Sequence, residues 1–498
     1  MPTKTAGAGA EGPTHLHQVI DCQWACPAHT PVPEYLRLIA AGRYAESYEI
    51  NWWSNVFPGI LGRVCDRPCE PACRRGRVDE EPVAICRMKR VAADLKGDIS
   101  ARLPKPPAHK NGKRVACVGA GPASLTVARD LALEGYAVTV FDGGTQSGGM
   151  MRSQIPKFRL PDSVIDEECG YVAGLGVDVV LGRWIDSLSA LRAEGWDAIF
   201  VGTGAPRGRD ADLPGRREAA ANIHVGIEWL ANLAFGHVET VGRRVVVLGG
   251  GNTAMDCCRS ARRLGAEEVH VIVRSGFDEM KASPWEKEEA LHEGIVIRNC
   301  MVPMAFEHAD GVLTGVTFEH VEVQHGAGGK RNLVPTGRIE TVPCDQVLIA
   351  IGQENSFPWI ERESGLQFDR WGMPVLNVKT LQSSLPEVFF GGDAALGPKN
   401  IITAVAQGHE AAISIDLFLK PPSAAWRPVV APSHRVAATA WSRRGLALSL
   451  RLAGSANSRL SSPPVSAVGL VAKALVGWVA PLRHCGAVVR SNQWLAEK

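Results

Sequence analysis

Two glycine-rich turns, each directly after an apolar strand, constrain the fold of this chain more than any other feature. The first turn, Gly119-x-Gly121-x-x-Ser124, follows a predicted strand over 115–118 and precedes a predicted helix over 126–133 and a strand over 137–141 that leads to Asp142. Glycines let the backbone approach a pyrophosphate, which the amides at a helix N-terminus attract. An acid about 20 residues further on accepts from a ribose 2'-hydroxyl and repels a 2'-phosphate. The first unit therefore predicts a site for FAD or NAD.

The second unit repeats this design but ends in a basic residue. Its turn is Gly249-Gly-Gly251-Asn-Thr-Ala254, its helix continues through Arg263, and its second strand, Glu268–Val273, leads to Arg274. A guanidinium at this position pairs with a 2'-phosphate, which favours NADPH over NADH. One glycine fingerprint can be a tight turn in any α/β protein, but two copies in full strand-turn-helix-strand context predict two dinucleotide-binding domains.

Six of the thirteen cysteines lie between residues 22 and 86, where they indicate a metal centre. They are arranged as Cys22-x3-Cys26, Cys65-x3-Cys69-x3-Cys73 and Cys86. This spacing predicts thiolates on one face of a helical turn, and soft thiolates favour an iron–sulfur cluster. Zinc, which usually takes two short cysteine knuckles, and inert thiols are the alternatives. Helical periodicity over 33–50 predicts a small α-helical domain, with the adjacent Trp52 and Trp53 packing its core.

Length and charge set broader bounds. A chain of 498 residues can form about two to four domains. The net charge of +2 says little about partners, although residues 421–498 hold ten Lys or Arg and one acid. No apolar run typical of a signal peptide or of a membrane span occurs, which predicts a cytoplasmic protein with reduced cysteines. The segment 421–498 lacks clear periodicity, and we expect it to be disordered.

More specific motifs reveal a resemblance to a known family. They are Gly62-Arg-Val-Cys65, Pro68-Cys69-Glu70, Gly148-Gly149-Met150, Ile155-Pro-Lys-Phe-Arg-Leu-Pro161, Arg370-Trp-Gly-Met-Pro374 and Phe390-Gly-Gly-Asp393. Over about residues 15–419 the chain resembles the small subunit of NADPH-dependent glutamate synthase and the N-terminal half of dihydropyrimidine dehydrogenase. The resemblance implies an α/β flavoprotein with two dinucleotide-binding domains, similar to disulfide reductases, preceded by an α-helical iron–sulfur domain. The expected boundaries are 1–102 for the iron–sulfur domain, 113–240 and 351–420 for the FAD-binding domain, 241–350 for an inserted NADPH-binding domain and 421–498 for the tail.

The resemblance also implies which residues bind each nucleotide. Those for FAD are Gly119, Ala120, Gly121, Pro122, Ala123, Ser124, Asp142, Gly148, Gly149, Met150, Arg159, Ile185, Gly392, Asp393, Asn400 and Ile401. Those for NADPH are Gly250, Gly251, Asn252, Thr253, Arg274, Ser275, Lys281, Ala350, Ile351 and Gly352. Lys281 would add a second cation for the 2'-phosphate. Asp393 would accept from ribityl hydroxyls, with a simple turn aspartate as its alternative.

The cysteine segment departs from the family pattern. Relatives with two [4Fe-4S] clusters have an extra Cys-x2-Cys where this chain has Thr14 and His17. Two clusters need eight ligands, and the segment offers six cysteines: Cys22, Cys26, Cys65, Cys69, Cys73 and Cys86. Related proteins complete one cluster with a Gln or Glu where this chain has Lys89. The resemblance therefore implies one cluster held by Cys26, Cys65, Cys69 and either Cys73 or Cys86, while a second that uses Cys22, Cys73 and His17 stays open.

The functional hypothesis is an electron-transfer chain. NADPH gives a hydride to FAD, which passes single electrons to the cluster and then to a partner. No catalytic base is predicted, because hydride transfer depends on orientation more than on acid–base groups. The resemblance implies that the partner is a larger catalytic subunit that makes glutamate, or a ferredoxin-like acceptor; neither nucleic acid nor membrane is expected. The alternatives are a thioredoxin-reductase-like disulfide reductase, for which only the adjacent Cys257 and Cys258 are available, and a non-catalytic zinc-bearing docking module.

Overall fold

The computed structural model describes residues 20–325 and 331–420. The predictions for Thr14, His17 and the segment 421–498 lie outside these residues. None of the helices in the described ranges is both long and apolar enough to cross a membrane. The helices are α1 (Asp21–Ala25), α2 (Val32–Ala40), α3 (Tyr44–Asn55), α4 (Pro58–Val64), α5 (Ile85–Leu95), α6 (Pro122–Leu133), α7 (Met150–Ser153), α8 (Asp162–Ala173), α9 (Leu188–Ala193), α10 (Gly226–Ala234), α11 (Asn252–Arg263), α12 (Pro284–His292), α13 (Asp393–Leu396) and α14 (Ile401–Leu419). The strands are β1 (Arg114–Val118), β2 (Ala137–Asp142), β3 (Asp178–Leu181), β4 (Ala198–Val201), β5 (Arg207–Gly208), β6 (Ile223–Val225), β7 (Arg244–Leu248), β8 (Glu268–Val273), β9 (Val296–Asn299), β10 (Met301–Ala309), β11 (Val312–His325), β12 (Arg331–Pro343), β13 (Gln346–Ile349), β14 (Gln353–Glu354) and β15 (Val388–Phe390).

The first sheet contains the first glycine turn. Its five strands have the order β15-β4-β1-β2-β3 and are all parallel. Apart from Arg114, the residues of β1 are buried, which is typical of a parallel strand covered on both faces. Helices α6 and α14 pack against each other beside this sheet. Because β15 joins it only after the second sheet is complete, the chain leaves the first domain and returns to it.

The second sheet contains the second glycine turn. Its five strands have the order β6-β13-β7-β8-β9 and are also all parallel. The pairing of Ile223 with Val347 brings β6 into this sheet, so the sheet begins earlier in the chain than the expected boundary at residue 241. A smaller antiparallel sheet, β10-β11-β12, contributes Phe306 and Phe318 to the same core as Val246 and Ile349.

The cysteine-rich segment is helical, as predicted. The single periodic stretch over 33–50 forms two helices, α2 and α3, because the chain turns at Gly42, whose φ of +70° favours glycine. Trp52 is fully buried in the core of this segment. Its ring meets that of Trp53 edge-on at 5.6 Å between centroids.

Two buried contacts attach this segment to the first nucleotide domain. Glu168 on α8 accepts hydrogen bonds from the Tyr48 hydroxyl at 2.6 Å and from the backbone N–H groups of Gly59 at 2.6 Å and Ile60 at 2.9 Å. Arg129 on α6 donates to the carbonyl of Trp52 at 2.8 Å and lies over its ring. The helical segment is therefore packed against the sheet domain through polar groups that need each other as partners.

Candidate functional site

One continuous cavity of about 1030 Å³ is lined by both glycine turns. It lies at the carboxyl ends of β1 and β15 in the first sheet and of β7 and β13 in the second, since residues just after these strands line it. This edge is where open α/β sheets bind ligands. The two predicted nucleotide sites therefore share one space, as hydride transfer between two nucleotides requires.

The first turn is closely packed and its acid is already held in place. Gly119 has a φ of +94°, and a Cβ on it would lie 2.7 Å from the carbonyl oxygen of Gly202. Asp142 accepts from the backbone N–H of Ala120 at 2.6 Å and from that of Gly144 at 2.7 Å. These bonds fix the carboxylate at the mouth of the turn, where a ribose hydroxyl would lie.

The second turn has the same backbone geometry but different side chains. Gly249 has a φ of +133°, and a Cβ on it would lie 2.2 Å from the carbonyl oxygen of Ala350. Arg274 and Lys281 both line the cavity and are exposed, whereas Ser275 between them is buried. Two exposed cations that line the same cavity can pair with the phosphate of a bound ligand.

Most of the residues predicted to bind nucleotides line this cavity. The ones outside it are Ser124, Gly148, Arg159 and Ile185. Ser124 is buried beneath the turn, and Ile185 packs against the first core. Arg159 donates to Asp256 at 2.5 Å and pairs with Glu286, so it joins the segment around residues 155–161 to the second nucleotide domain. Burial raises the pKa of Asp256 to about 6, although Arg159 acts to lower it.

Asp393 lines the cavity at the start of α13. Its carboxylate accepts from the backbone N–H of Lys399 at 2.9 Å, and burial raises its pKa above the ordinary value. The bond to Lys399 is the local contact expected of a turn aspartate. Its contact with a ribityl chain stays a prediction.

Four of the six cysteines form a buried group, here called the thiol quartet: Cys26, Cys65, Cys69 and Cys86. Cys26 and Cys65 follow the last residues of α1 and α4, Cys69 lies in a turn, and Cys86 lies in the first turn of α5. The predicted helical turn is wrong for Cys65 and Cys69, because Pro68 and Pro71 remove backbone donors and keep this loop out of a helix. The quartet therefore comes from three separate segments.

Lys89 lies one helical turn after Cys86 and is only 3% exposed. Its Nζ donates to Asn55 Oδ1 at 3.2 Å, and the thiol quartet surrounds it. Burial acts to lower the pKa of Lys89, but the neighbouring sulfurs outweigh this and raise it. A buried ammonium needs a compensating anion, and thiolates can provide it.

The quartet has the chemistry of a cluster site. The hydrogen bond with Cys86 and then burial raise the pKa of Cys65 well above its ordinary value. The hydrogen bond from Cys65 lowers the pKa of Cys86, but a hydrogen bond with Cys69 and burial bring it to about 12. Within residues 20–325 and 331–420, no three His, Cys, Asp or Glu side chains are positioned to hold a single metal ion. A [4Fe-4S] cluster takes one thiolate per iron, and the quartet supplies four soft donors.

The remaining two cysteines, Cys22 and Cys73, are half-buried and lie close to each other. Burial and then the nearby Cys73 raise the pKa of Cys22. Asp21 accepts from Arg74 Nε at 2.8 Å and from Arg77 Nη2 at 3.3 Å, which brings the segments of the two cysteines together. Of the two candidates for a fourth ligand, the structure groups Cys86 with Cys26, Cys65 and Cys69.

Sequence reasoning missed Asp66, whose side chain lines the cavity next to Cys65. The signal that could have found it is an acid placed directly after a predicted metal ligand. Cys257 and Cys258, the thiols available to a disulfide reductase, are buried on α11, and burial raises the pKa of both. Buried thiols of this kind are unreactive, so the geometry gives that alternative no support.

Two known families match the chain. Residues 113–408 match the family described as pyridine nucleotide-disulphide oxidoreductase. Residues 17–100 match the family described as dihydropyrimidine dehydrogenase domain II, 4Fe-4S cluster. The two matches correspond to the two sheets with their cavity and to the cysteine-rich helical segment.

Similar proteins come from several bacteria. The chain is 36% identical to the beta subunit of an NADP(+)-dependent formate dehydrogenase from Moorella thermoacetica, over 80% of this chain and 60% of that protein. It is 33% identical to the beta subunit of an NADPH-Fe(3+) oxidoreductase from Geobacter sulfurreducens, over 83% and 66%. It thus spans about two thirds or less of these two relatives. The small chain of glutamate synthase [NADPH] from Escherichia coli is 32% identical, over 80% of this chain and 88% of that one.

Among solved structures, FprA of Mycobacterium tuberculosis in complex with NADPH shares the fold. It superposes with a TM-score of 0.52 at 16% identity, over 74% of this chain and 90% of that chain. Together the matches confirm the predicted α/β fold class with a preceding iron–sulfur domain, and the predicted cofactors FAD, NADPH and a [4Fe-4S] cluster.

Proposed function

The chain belongs to the pyridine nucleotide-disulphide oxidoreductase family, in the group that includes the small chain of glutamate synthase [NADPH], and from this premise we propose that it carries electrons from NADPH through FAD and one [4Fe-4S] cluster to a partner protein. The observation that carries the proposal is the shared cavity. Both glycine turns line it, and so does Asp66, the residue next to Cys65 of the thiol quartet. The cavity of the nucleotide turns thus reaches the residue that follows Cys65 in the chain.

Each glycine turn binds one of the two nucleotides. Asp142 is fixed by two backbone bonds and suits an unphosphorylated ribose, so the first turn holds FAD. Arg274 and Lys281 suit a 2'-phosphate, so the second turn holds NADPH. The remaining residues predicted for each nucleotide follow this division, including Arg159 and Ile185, whose contacts with FAD stay proposals.

When bound, NADPH would supply a hydride, and FAD with the cluster would supply the change from two-electron to one-electron transfer. The residues of the chain provide orientation. Gly119 and Gly249 carry no side chains, because a Cβ on either would collide with the carbonyl oxygen of Gly202 or of Ala350. Each pyrophosphate can therefore lie against backbone amides. No residue of the chain is required to hold or move a proton during the hydride step.

The thiol quartet is the proposed ligand set of the cluster: Cys26, Cys65, Cys69 and Cys86. The Lys89 ammonium offsets part of the negative charge that four thiolates bring to a buried site. Cys22 and Cys73 are not ligands of this cluster. A second cluster would need them together with groups outside the described residues.

The partner is a one-electron acceptor protein. The relatives from Moorella and Geobacter are named as beta subunits, and the relative from E. coli is named as a small chain. By this likeness the acceptor is a larger subunit or a ferredoxin-like protein. The zinc-bearing docking module has no comparable support, because the matched helical family is described by its 4Fe-4S cluster.

The test is reduction of the bound flavin, followed by its absorbance under anaerobic conditions. NADPH is expected to bleach it at least tenfold faster than NADH at equal low concentration, because a charge-assisted phosphate contact is worth about 1.5–3 kcal/mol. Arg274→Asp should raise the KM for NADPH and leave FAD content unchanged. Arg243→Asp is the matched control, since Arg243 is an exposed arginine before β7 that does not line the cavity. Equal rates with both nucleotides would refute the NADPH assignment, and loss of FAD in Arg274→Asp would mean that the two sites are exchanged.

A further inference from the structure

Asp66 is contacted from both nucleotide domains. Its Oδ1 accepts from Asn252 Nδ2 at 3.2 Å, and its Oδ2 accepts from Asn400 Nδ2 at 2.8 Å. The Ser283 hydroxyl lies 3.5 Å from Oδ1. Each carboxylate oxygen thus serves a different domain, while the residue itself belongs to the cysteine-rich segment.

The two asparagines are oriented by their own domains. Asn252, the first residue of α11, accepts from the backbone N–H of Ser283 at 2.8 Å. Asn400, the N-cap of α14, accepts from the backbone N–H of Thr403 at 3.0 Å. Because each amide oxygen is already engaged, each amide nitrogen is directed at Asp66. Two donors that face one side chain require a group that accepts on both sides, which a carboxylate does and a carboxamide does not.

Asp66 is also joined to the thiol quartet. It lies between Cys65 and Arg67, and the backbone N–H of Arg67 points to Cys65 Sγ at 3.4 Å. The Arg67 guanidinium lies 4.2 Å from the centroid of the Trp285 ring, at the start of α12 in the second nucleotide domain. The short loop that carries Cys65 therefore contacts the second domain through two consecutive side chains.

We propose that Asp66 is a positioning residue that fixes the Cys65 loop against both nucleotide turns and so sets the distance over which electrons leave the cavity for the thiol quartet. The inference rests on the proposed function. It assigns Asp66 to the step after hydride transfer, because its contacts join the cysteine loop to the starts of α11 and α14. Rates of steps that depend on geometry fall steeply when such a contact is lost.

The test compares Asp66→Ala, Asp66→Asn and Asp66→Glu in the cofactor-loaded protein. Reoxidation through the cluster by a one-electron acceptor should slow at least tenfold in Asp66→Ala, and by a larger factor than the reduction of the flavin by NADPH. Asp66→Asn should be intermediate, because its amide nitrogen faces one of the two asparagine donors. Asp66→Glu should restore part of the reoxidation rate that Asp66→Ala loses. Asp79→Ala is the control, since Asp79 is an exposed acid of the same segment that pairs with Arg75.

A second measurement does not depend on turnover. Hydrogen–deuterium exchange of the cofactor-loaded protein without NADPH should increase in peptides over 62–70 and 400–404 for Asp66→Ala and not for Asp79→Ala. Iron content and FAD content should be unchanged. Wild-type reoxidation and exchange in Asp66→Ala would overturn the proposal, and so would flavin reduction that slows as much as reoxidation, which would place Asp66 in nucleotide binding alone. If NADPH failed to reduce the wild-type flavin, the proposed function would fail, while the exchange measurement would still decide the positioning role.

Discussion

The two groups of cysteines in the helical segment differ in burial, charge and origin. The thiol quartet is buried around Lys89, whereas Cys22 and Cys73 are half-exposed beside the ion pairs of Asp21. Cys69 and Cys73 are four residues apart and fall in different groups, while Cys26 and Cys86, distant in sequence, share one. Spacing along the chain therefore does not decide which cysteines act together. The packing of α5 against α4 does, because it brings Cys86 to Cys65.

The largest effect should come from removing one member of the quartet. Cys86→Ala should lose nearly all iron and all electron transfer to an external one-electron acceptor, because a cluster that lacks one of four thiolate ligands is not retained in a buried site. Reduction of the flavin by NADPH should persist. Cys73→Ala is the matched control and should keep its iron. Iron analysis and visible absorption of the two anaerobic variants measure these outcomes. Loss of iron in Cys73→Ala and its retention in Cys86→Ala would make Cys73 the fourth ligand.

An intermediate effect should follow from removing the buried charge. Lys89→Met should lower the midpoint potential of the cluster by about 50–150 mV, the scale of one unit charge at an effective dielectric constant of about 20. The loss of a neighbouring cation makes the more negative, reduced cluster less stable. Lys89→Arg should return the potential toward the wild-type value.

Redox titration followed by electron paramagnetic resonance makes this measurement. Lys96→Met is the control, because Lys96 is a half-buried lysine just after α5 whose partner is Glu167 rather than a sulfur. An equal shift in both variants would mean that Lys89 acts through the packing of the segment and not through its charge.

The smallest effect should come from the half-buried pair, Cys22 and Cys73. The double variant Cys22→Ala/Cys73→Ala should keep about four irons per FAD, as expected of one cubane cluster. Its rate of electron delivery should be close to that of the wild type. If the wild type held about eight irons per FAD and the double variant half as many, a second cluster would be present. Both groups of cysteines would then be cluster ligands.

The nucleotide domains were easier to predict from the sequence than the cysteine segment. The strand Glu268–Val273, the helix end at Arg263 and the strand Val388–Phe390 agree with the structure because local patterns of apolar residues and glycines determine them. The grouping of Cys86 with Cys65, and the two bonds of Asp66, depend on contacts between residues far apart in the chain. The break at Gly42 was missed because the apolar pattern continues across it. No local signal shows the grouping of Cys86 with Cys65 or the bonds of Asp66, whereas Gly42 is itself a local helix-stop signal.

Glu168 has a consequence for how the finished protein is assembled. Its carboxylate is fully buried and receives donors from Tyr48, Gly59 and Ile60, so undocking the helical segment would break three hydrogen bonds to one carboxyl group. A cofactor that orders the helical segment or the first nucleotide domain thereby stabilises the docked state. Part of that stabilisation raises the affinity of the other unit for its own cofactor. Cofactor uptake is then reciprocal: protein made under iron starvation should release its flavin more readily, and protein short of flavin should be slower to retain iron.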